Sequence, residues 1–250
     1  MSKAQNNQLV SLSLISIRPK FLKFCYFIMG FLLLACGDDK SEKTSVEAEP
    51  STEIEKKEQA TTNNTQTKTI LCFGDSITAG YGLDDSNDAF PAVIQQKIDS
   101  LALNYTVINS GLSGETTAGG KSRISWILNQ PIDVFILELG ANDGLRGVPL
   151  TETRANLQGI IDAVKTKSPE TKIILAGMQL PPNMGQDYTT EFKQIFIDLA
   201  EKNELEFIPF ILKDVGGIAE FNQRDGIHPT VEGHKILANT VWEVLEPLVK

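Results

Sequence analysis

Ser76 follows Gly74-Asp75, and Gly114 sits within Ser113-Gly114-Glu115-Thr116. Asn142 sits within Gly140-Ala141-Asn142-Asp143, and His228 ends Asp225-Gly226-Ile227-His228. Cleaving an acyl bond requires a nucleophile, a base with a group to orient it, and donors for the developing oxyanion. Each segment can supply one of these parts. Ser76 is the nucleophile candidate, because Gly74 permits a tight turn and a Ser at a helix start gains from the dipole and the free N–H groups. His228 is the base candidate, chosen over His234, which lies in the expected last helix and reads as a surface or groove residue. Asp225, three residues before His228, can orient the imidazole if the loop turns. The backbone N–H groups of Ser76 and Gly114 and the amide of Asn142 are the oxyanion candidates. A side chain at 114 would block the approach, and Asp143 can cap or brace the Asn142 loop.

Taken singly, each segment has a plainer reading. Gly-Asp-Ser is a common turn and cap, and the Gly-x-Ser-x-Gly elbow is absent because Thr78 stands at its second Gly. Asp225 and His228 could be a capping or metal-binding Asp beside a solvated His, but no third His or Cys lies near enough to build a zinc site. Gly114 and Asn142 fit ordinary turn chemistry. The weight comes from all four segments lying where an expected strand ends.

Those strands are Thr69–Phe73, Tyr105–Asn109, Asp133–Glu138, Lys172–Ala176 and Leu205–Ile208, each short and apolar as buried parallel strands are. Helical patterns lie between them at about 88–102, 116–129, 151–167, 188–203 and 230–249, with Thr151 and Thr230 as expected N-caps. The alternation predicts one three-layer α/β/α domain over residues 69–250 with a parallel five-stranded sheet. In such sheets ligands gather at the carboxyl ends of strands, which would bring Ser76, Gly114 and Asn142 together. Cys72, inside the first strand, reads as a small core hydrophobe.

The N-terminal region has a different texture. Residues 24–35 form an uncharged apolar run, too short to span a bilayer, preceded by Lys3, Arg18, Lys20 and Lys23. The run ends in Leu33-Leu34-Ala35-Cys36, which resembles the bacterial lipobox. On that reading residues 1–35 are a lipoprotein signal peptide, and Cys36 carries two or more acyl chains, enough for stable anchoring. A plain signal peptide or short anchor is the alternative. Gly37 after the Cys, where Asp would favour the inner membrane, points to an outer-membrane location in a bacterial cell envelope. Residues 37–68 hold eight acids, five lysines and almost no large apolar side chain. Such a stretch reads as a disordered tether with a reach of roughly 30 Å. The net charge is −9, and beyond residue 36 there are 19 basic and 32 acidic residues. That balance disfavours nucleic acid as a partner.

The stretches Leu71–Gly82, Glu138–Gly147 and Asp225–Pro229 resemble the SGNH (GDSL) hydrolases over many consecutive residues. The likeness is to the multifunctional bacterial thioesterase/lysophospholipase/arylesterase branch and covers roughly Thr69 to the C-terminus. It implies a flavodoxin-like sheet, no metal or other cofactor, Ser76 as nucleophile, Ser76, Gly114 and Asn142 as oxyanion donors, and Asp225 with His228 as the acid–base pair. Ala141 stands where Gly is common and Glu115 where Asp is frequent, and neither change removes a catalytic atom. The expected activity is a serine esterase acting on acyl esters or thioesters. The segments 145–150 and 178–184 are expected beside the acyl pocket, with Leu145, Leu180 and Pro181 as candidate substrate contacts. The rivals are a carbohydrate O-acetylesterase on the same fold and an inactive surface-binding lipoprotein.

Overall fold

Where the first three strands end decides where a site can form. The structure is a computed structural model and describes residues 66–250. The expected signal peptide, Cys36 and all but the end of the tether lie outside the described residues. β1 (Lys68–Gly74), β2 (Tyr105–Gly111), β3 (Val134–Glu138), β4 (Lys172–Ala176) and β5 (Glu206–Ile208) form one parallel sheet in the order β2-β1-β3-β4-β5. This is the flavodoxin-like order that the family resemblance implies. Gly74, the last residue of β1, pairs with Gly111, the last of β2, and with Glu138, the last of β3. The three chains therefore leave the sheet side by side.

Burial follows position in the sheet. Every residue of β3 is buried, as are the last five of β1, so their Ile, Leu, Val and Phe side chains pack against both helical layers. β2 and the three-residue β5 are the edges and are more open. The helices are α1 (Ser76–Ala79), α2 (Phe90–Ser100), α3 (Thr117–Ile127), α4 (Ala141–Arg146), α5 (Leu150–Lys167), α6 (Gln186–Asn203) and α7 (Val231–Val249). α2 packs with α7, while α5 packs with α3 and α6, which gives the three-layer arrangement. Cys72 is fully buried in the core.

Two local expectations are corrected. Thr151 is not a cap: α5 begins at Leu150 after Pro149, which presets the backbone and offers no side-chain acceptor. Thr230 does cap α7, accepting the Gly233 N–H at 3.3 Å.

His234 is fully buried rather than exposed. It shares a helical stripe with Leu237, Ala238, Val241 and Leu245 and faces α2. Its Nδ1 accepts the Phe90 N–H at 3.2 Å, the service that Ala89 cannot give as N-cap of α2. Burial, followed by the nearby His228, lowers its pKa from 6.5 to about 4. The folded state thus holds this ring neutral while the unfolded chain protonates it. Its contribution to stability is fully present above pH 6.5 and is lost as pH falls toward 4. His234→Gln is expected to flatten the fall of Tm across that window. A Tm–pH slope unchanged in the variant would remove His234 from the acid response.

Candidate active site

The turn after β1 is built around Gly74. A Cβ there would collide with the Thr78 hydroxyl and with the side chain and carbonyl of Glu138, so the chain can bend here only without a side chain. Asp75 then caps α1, its Oδ1 accepting the Ile77 N–H at 3.0 Å. Ser76 is the first residue of α1 and is 8% exposed. Gly80 closes the helix in the left-handed region, φ 76°.

The loop before α7 brings the imidazole across. His228 Nε2 lies 2.9 Å from Ser76 Oγ, and His228 Nδ1 lies 2.7 Å from Asp225 Oδ2. The other carboxylate oxygen of Asp225 accepts the backbone N–H groups of Ile227 and His228 at 2.9 and 3.0 Å. Those bonds, the His228 side chain's first among them, hold the Asp225 carboxyl down at about 2. It therefore stays ionised at neutral pH and fixes the tautomer with the proton on Nδ1 and the lone pair on Nε2. Gln223 ties this loop to the far side, its Nε2 donating to Tyr81 O at 2.7 Å and Pro229 O at 3.0 Å. The Tyr81 ring leans on His228 with centroids 4.7 Å apart.

Gly114 and Asn142 arrive from the neighbouring strands. Gly114 has φ 78°, and a Cβ added there would make only an ordinary contact with Arg146 at 3.5 Å. Left-handed backbone, more than crowding within the protein, is what calls for glycine at 114. The N–H groups of Ser76 and Gly114 are taken by no other described residue. Asn142 is held on three sides: Nδ2 donates to Asp75 Oδ2 at 3.0 Å and to Glu115 O at 3.1 Å, and Oδ1 accepts from Arg146 Nη2 at 3.2 Å. A guanidinium only donates, so this set of partners fixes which end of the amide is nitrogen. Burial pushes the Asp75 carboxyl up to about 6, against the pull of the Ile77 and Asn142 hydrogen bonds.

The segment bearing Gly114 is fastened at both ends. Asp143, fully buried, accepts the Thr117 N–H at 2.8 Å and the Thr117 hydroxyl at 2.5 Å, so it braces the start of α3 as well as its own loop. Glu115 makes a two-pronged ion pair with Arg123, at 2.6 and 2.5 Å. Arg123 also donates to Ser110 Oγ and O at the end of β2 and lies 3.9 Å from the Phe73 ring centre. Nothing in the sequence alone singles out Arg123. Its eight-residue spacing from Glu115 becomes a contact only because the loop folds back on α3.

Leu145 is exposed on α4, near Asn142. Leu180 is buried with its methyl groups beside Gly144, and Met178 is buried too. Leu180 packs beneath α4 with the same 8% exposure as Ser76. Pro181, next to it, is exposed. Among the described residues, no three or more of His, Cys, Asp and Glu gather where they could hold a metal ion.

Residues 72–236 match the profile of the GDSL-like Lipase/Acylhydrolase family. The chain is 36% identical over 189 residues to Esterase TesA of Pseudomonas aeruginosa, covering 75% of this chain and 92% of that protein. It is 35% identical over 182 residues to Thioesterase 1/protease 1/lysophospholipase L1 of Escherichia coli strain K12, covering 72% and 85%. The crystal structure of AlinE4, an SGNH-hydrolase family esterase, superposes with a TM-score of 0.61 at 37% identity over 74% of this chain and 98% of that one. The profile match over residues 72–236, with relatives 35–36% identical over most of the chain, places the chain in the GDSL-like lipase/acylhydrolase family, and it is an ester-bond hydrolase.

Proposed function

We propose that this chain is a lipid-anchored serine esterase that cleaves acyl esters or thioesters through an acyl-enzyme on Ser76. The observation that carries the reading is the unbroken line Ser76 Oγ, His228 Nε2, His228 Nδ1, Asp225 Oδ2, with spacings of 2.9 and 2.7 Å. Ser76 Oγ attacks the carbonyl carbon while Nε2 takes its proton. Asp225 stabilises the imidazolium that results. The N–H groups of Ser76 and Gly114, with Asn142 Nδ2, receive the oxyanion. Both hydrogens of Nδ2 are already engaged, so the amide shares one of them with the oxyanion as charge develops there. Collapse breaks the C–O or C–S bond and Nε2 returns its proton to the leaving alcohol or thiol. Water then repeats the sequence on the acyl-enzyme, releasing the acid and restoring the Ser76 hydroxyl.

Acyl chains suit the surroundings better than sugars do. Tyr81, Leu112, Leu145 and Ile227 are all exposed, and each sits on a segment that also carries a site residue. Labelling with a fluorophosphonate, followed by peptide mapping, is expected to mark Ser76 alone. On p-nitrophenyl esters, octanoate is expected to be cleaved at least as well as acetate. A sharp preference for acetate would favour an O-acetylesterase, and no turnover with no label would favour an inactive binding protein.

The anchor rests on Leu33-Leu34-Ala35-Cys36 and on the charged, apolar-poor stretch that follows. On this reading the domain is held at a bacterial envelope membrane, the outer one favoured by Gly37. Cys36→Ser is expected to move the protein from the membrane fraction to the soluble one while kcat on a soluble ester stays within about twofold. Continued membrane association of that variant would exclude Cys36 as the lipid site.

A further inference from the structure

Glu138 is a fully buried carboxyl at the centre of the sheet, and no ion pair joins it to a cation among the described residues. It ends β3 directly beside Gly74. Its Oε2 accepts the Thr78 hydroxyl at 2.6 Å and the Asp75 N–H at 3.3 Å. These two donors lie on either side of Ser76, so one oxygen grips the turn that carries the nucleophile at both ends. Its Oε1 is buried without a hydrogen-bond partner among the described residues. An ionised carboxylate would leave that oxygen's lone pairs bare in the core, an expensive arrangement, whereas a protonated one places its hydrogen there. The titratable groups bearing on Glu138 are Asp75, in the turn, and Cys72, on the neighbouring strand; neither offers it a positive charge.

We propose that Glu138 is a positioning residue for the reaction: an uncharged carboxyl that clamps the Ser76 turn from within and, through Asp75, sets the amide of Asn142. The proposal rests on Ser76 as the nucleophile. Burial, followed by the Asp75 charge, raises the Glu138 pKa well above the usual range. Of the two carboxyls Asp75 is the better placed to carry charge, since its Oδ1 takes the Ile77 N–H and its Oδ2 the Asn142 N–H at 3.0 Å. Because the folded pKa is raised, the contribution of Glu138 to stability is present at low pH and is lost as pH rises through that value.

The test compares Glu138→Gln, Glu138→Ala and Thr78→Val in steady-state hydrolysis of p-nitrophenyl butyrate from pH 6 to 9.5, with thermal melts and fluorophosphonate labelling alongside. Glu138→Gln mimics the neutral acid. Its kcat at pH 7 is expected within about twofold of wild type, and its Tm is expected to fall less than that of wild type as pH rises. Glu138→Ala removes both acceptor bonds and is expected to lower kcat at least tenfold with KM within about threefold. If Glu138→Ala does not fold, Thr78→Val decides, because it deletes one donor and keeps the shape: a kcat at least threefold lower with KM unchanged supports the clamp, and a wild-type kcat overturns it. Equal impairment of Glu138→Gln and Glu138→Ala at pH 7 overturns the uncharged state, and wild-type kcat in a folded Glu138→Ala overturns the role itself. A wild-type chain that takes no label overturns the assignment of Ser76 and this proposal with it. A labelled wild type with either adverse result at Glu138 overturns the proposal alone.

Discussion

Ser76→Ala is expected to yield a folded domain whose kcat on p-nitrophenyl butyrate falls at least about 10⁴-fold and which takes up no fluorophosphonate. Removing the hydroxyl deletes the attacking atom and leaves His228 nothing to deprotonate at 2.9 Å. The residual rate measures what binding and the oxyanion donors give to a water molecule alone. Stability should change little, because among the described residues Oγ hydrogen-bonds only with His228 and the helix cap belongs to Asp75. The informative control is thus the melt, which should superpose on wild type. Retained turnover in the variant would show that the hydrolysis comes from some other group.

Asn142→Ala is expected to lower kcat by about 10²–10³, or roughly 3–4 kcal/mol of transition-state stabilisation, with KM nearly unchanged. The ground-state carbonyl carries little charge, so a donor aimed at the oxyanion position matters mainly once the tetrahedral species forms. The substitution also takes a hydrogen bond from Asp75 Oδ2 and from Glu115 O, and it frees Arg146. A small loss of Tm should accompany the kinetic loss. If kcat were unchanged, the two backbone N–H groups would suffice and the amide would be a strut between neighbouring loops.

The fold was legible because strands buried on both faces have no need to alternate. Ile70–Phe73, Val134–Leu137 and Ile173–Ala176 are unbroken apolar runs, and β4 was read with its observed limits. Ser76 and Asn142 were legible because their segments are short, polar and glycine-bearing and follow the first two of these runs closely. Other features were hidden for physical reasons. α1 and α4 span four and six residues, too few for a helical period to register. Thr151 looked like a cap by its type, but the preset backbone of Pro149 had already started the helix. His234 could have been read as buried, since it precedes Leu237 by three and Val241 by seven, the spacing of one helix face. Glu138 is an acid within the run Val-Phe-Ile-Leu-Glu-Leu, and what it grips becomes visible only when strand register sets it beside Gly74. The link from Asp75 to Asn142 spans 67 positions and belongs to tertiary structure alone.

β1 enters the sheet at Lys68 and delivers Ser76 just past its other end, seven residues and about 20 Å away. The polypeptide thus joins the domain on the pole opposite the reactive rim. A bead or fusion partner coupled at Lys68 itself meets the domain at the end of β1 away from Ser76.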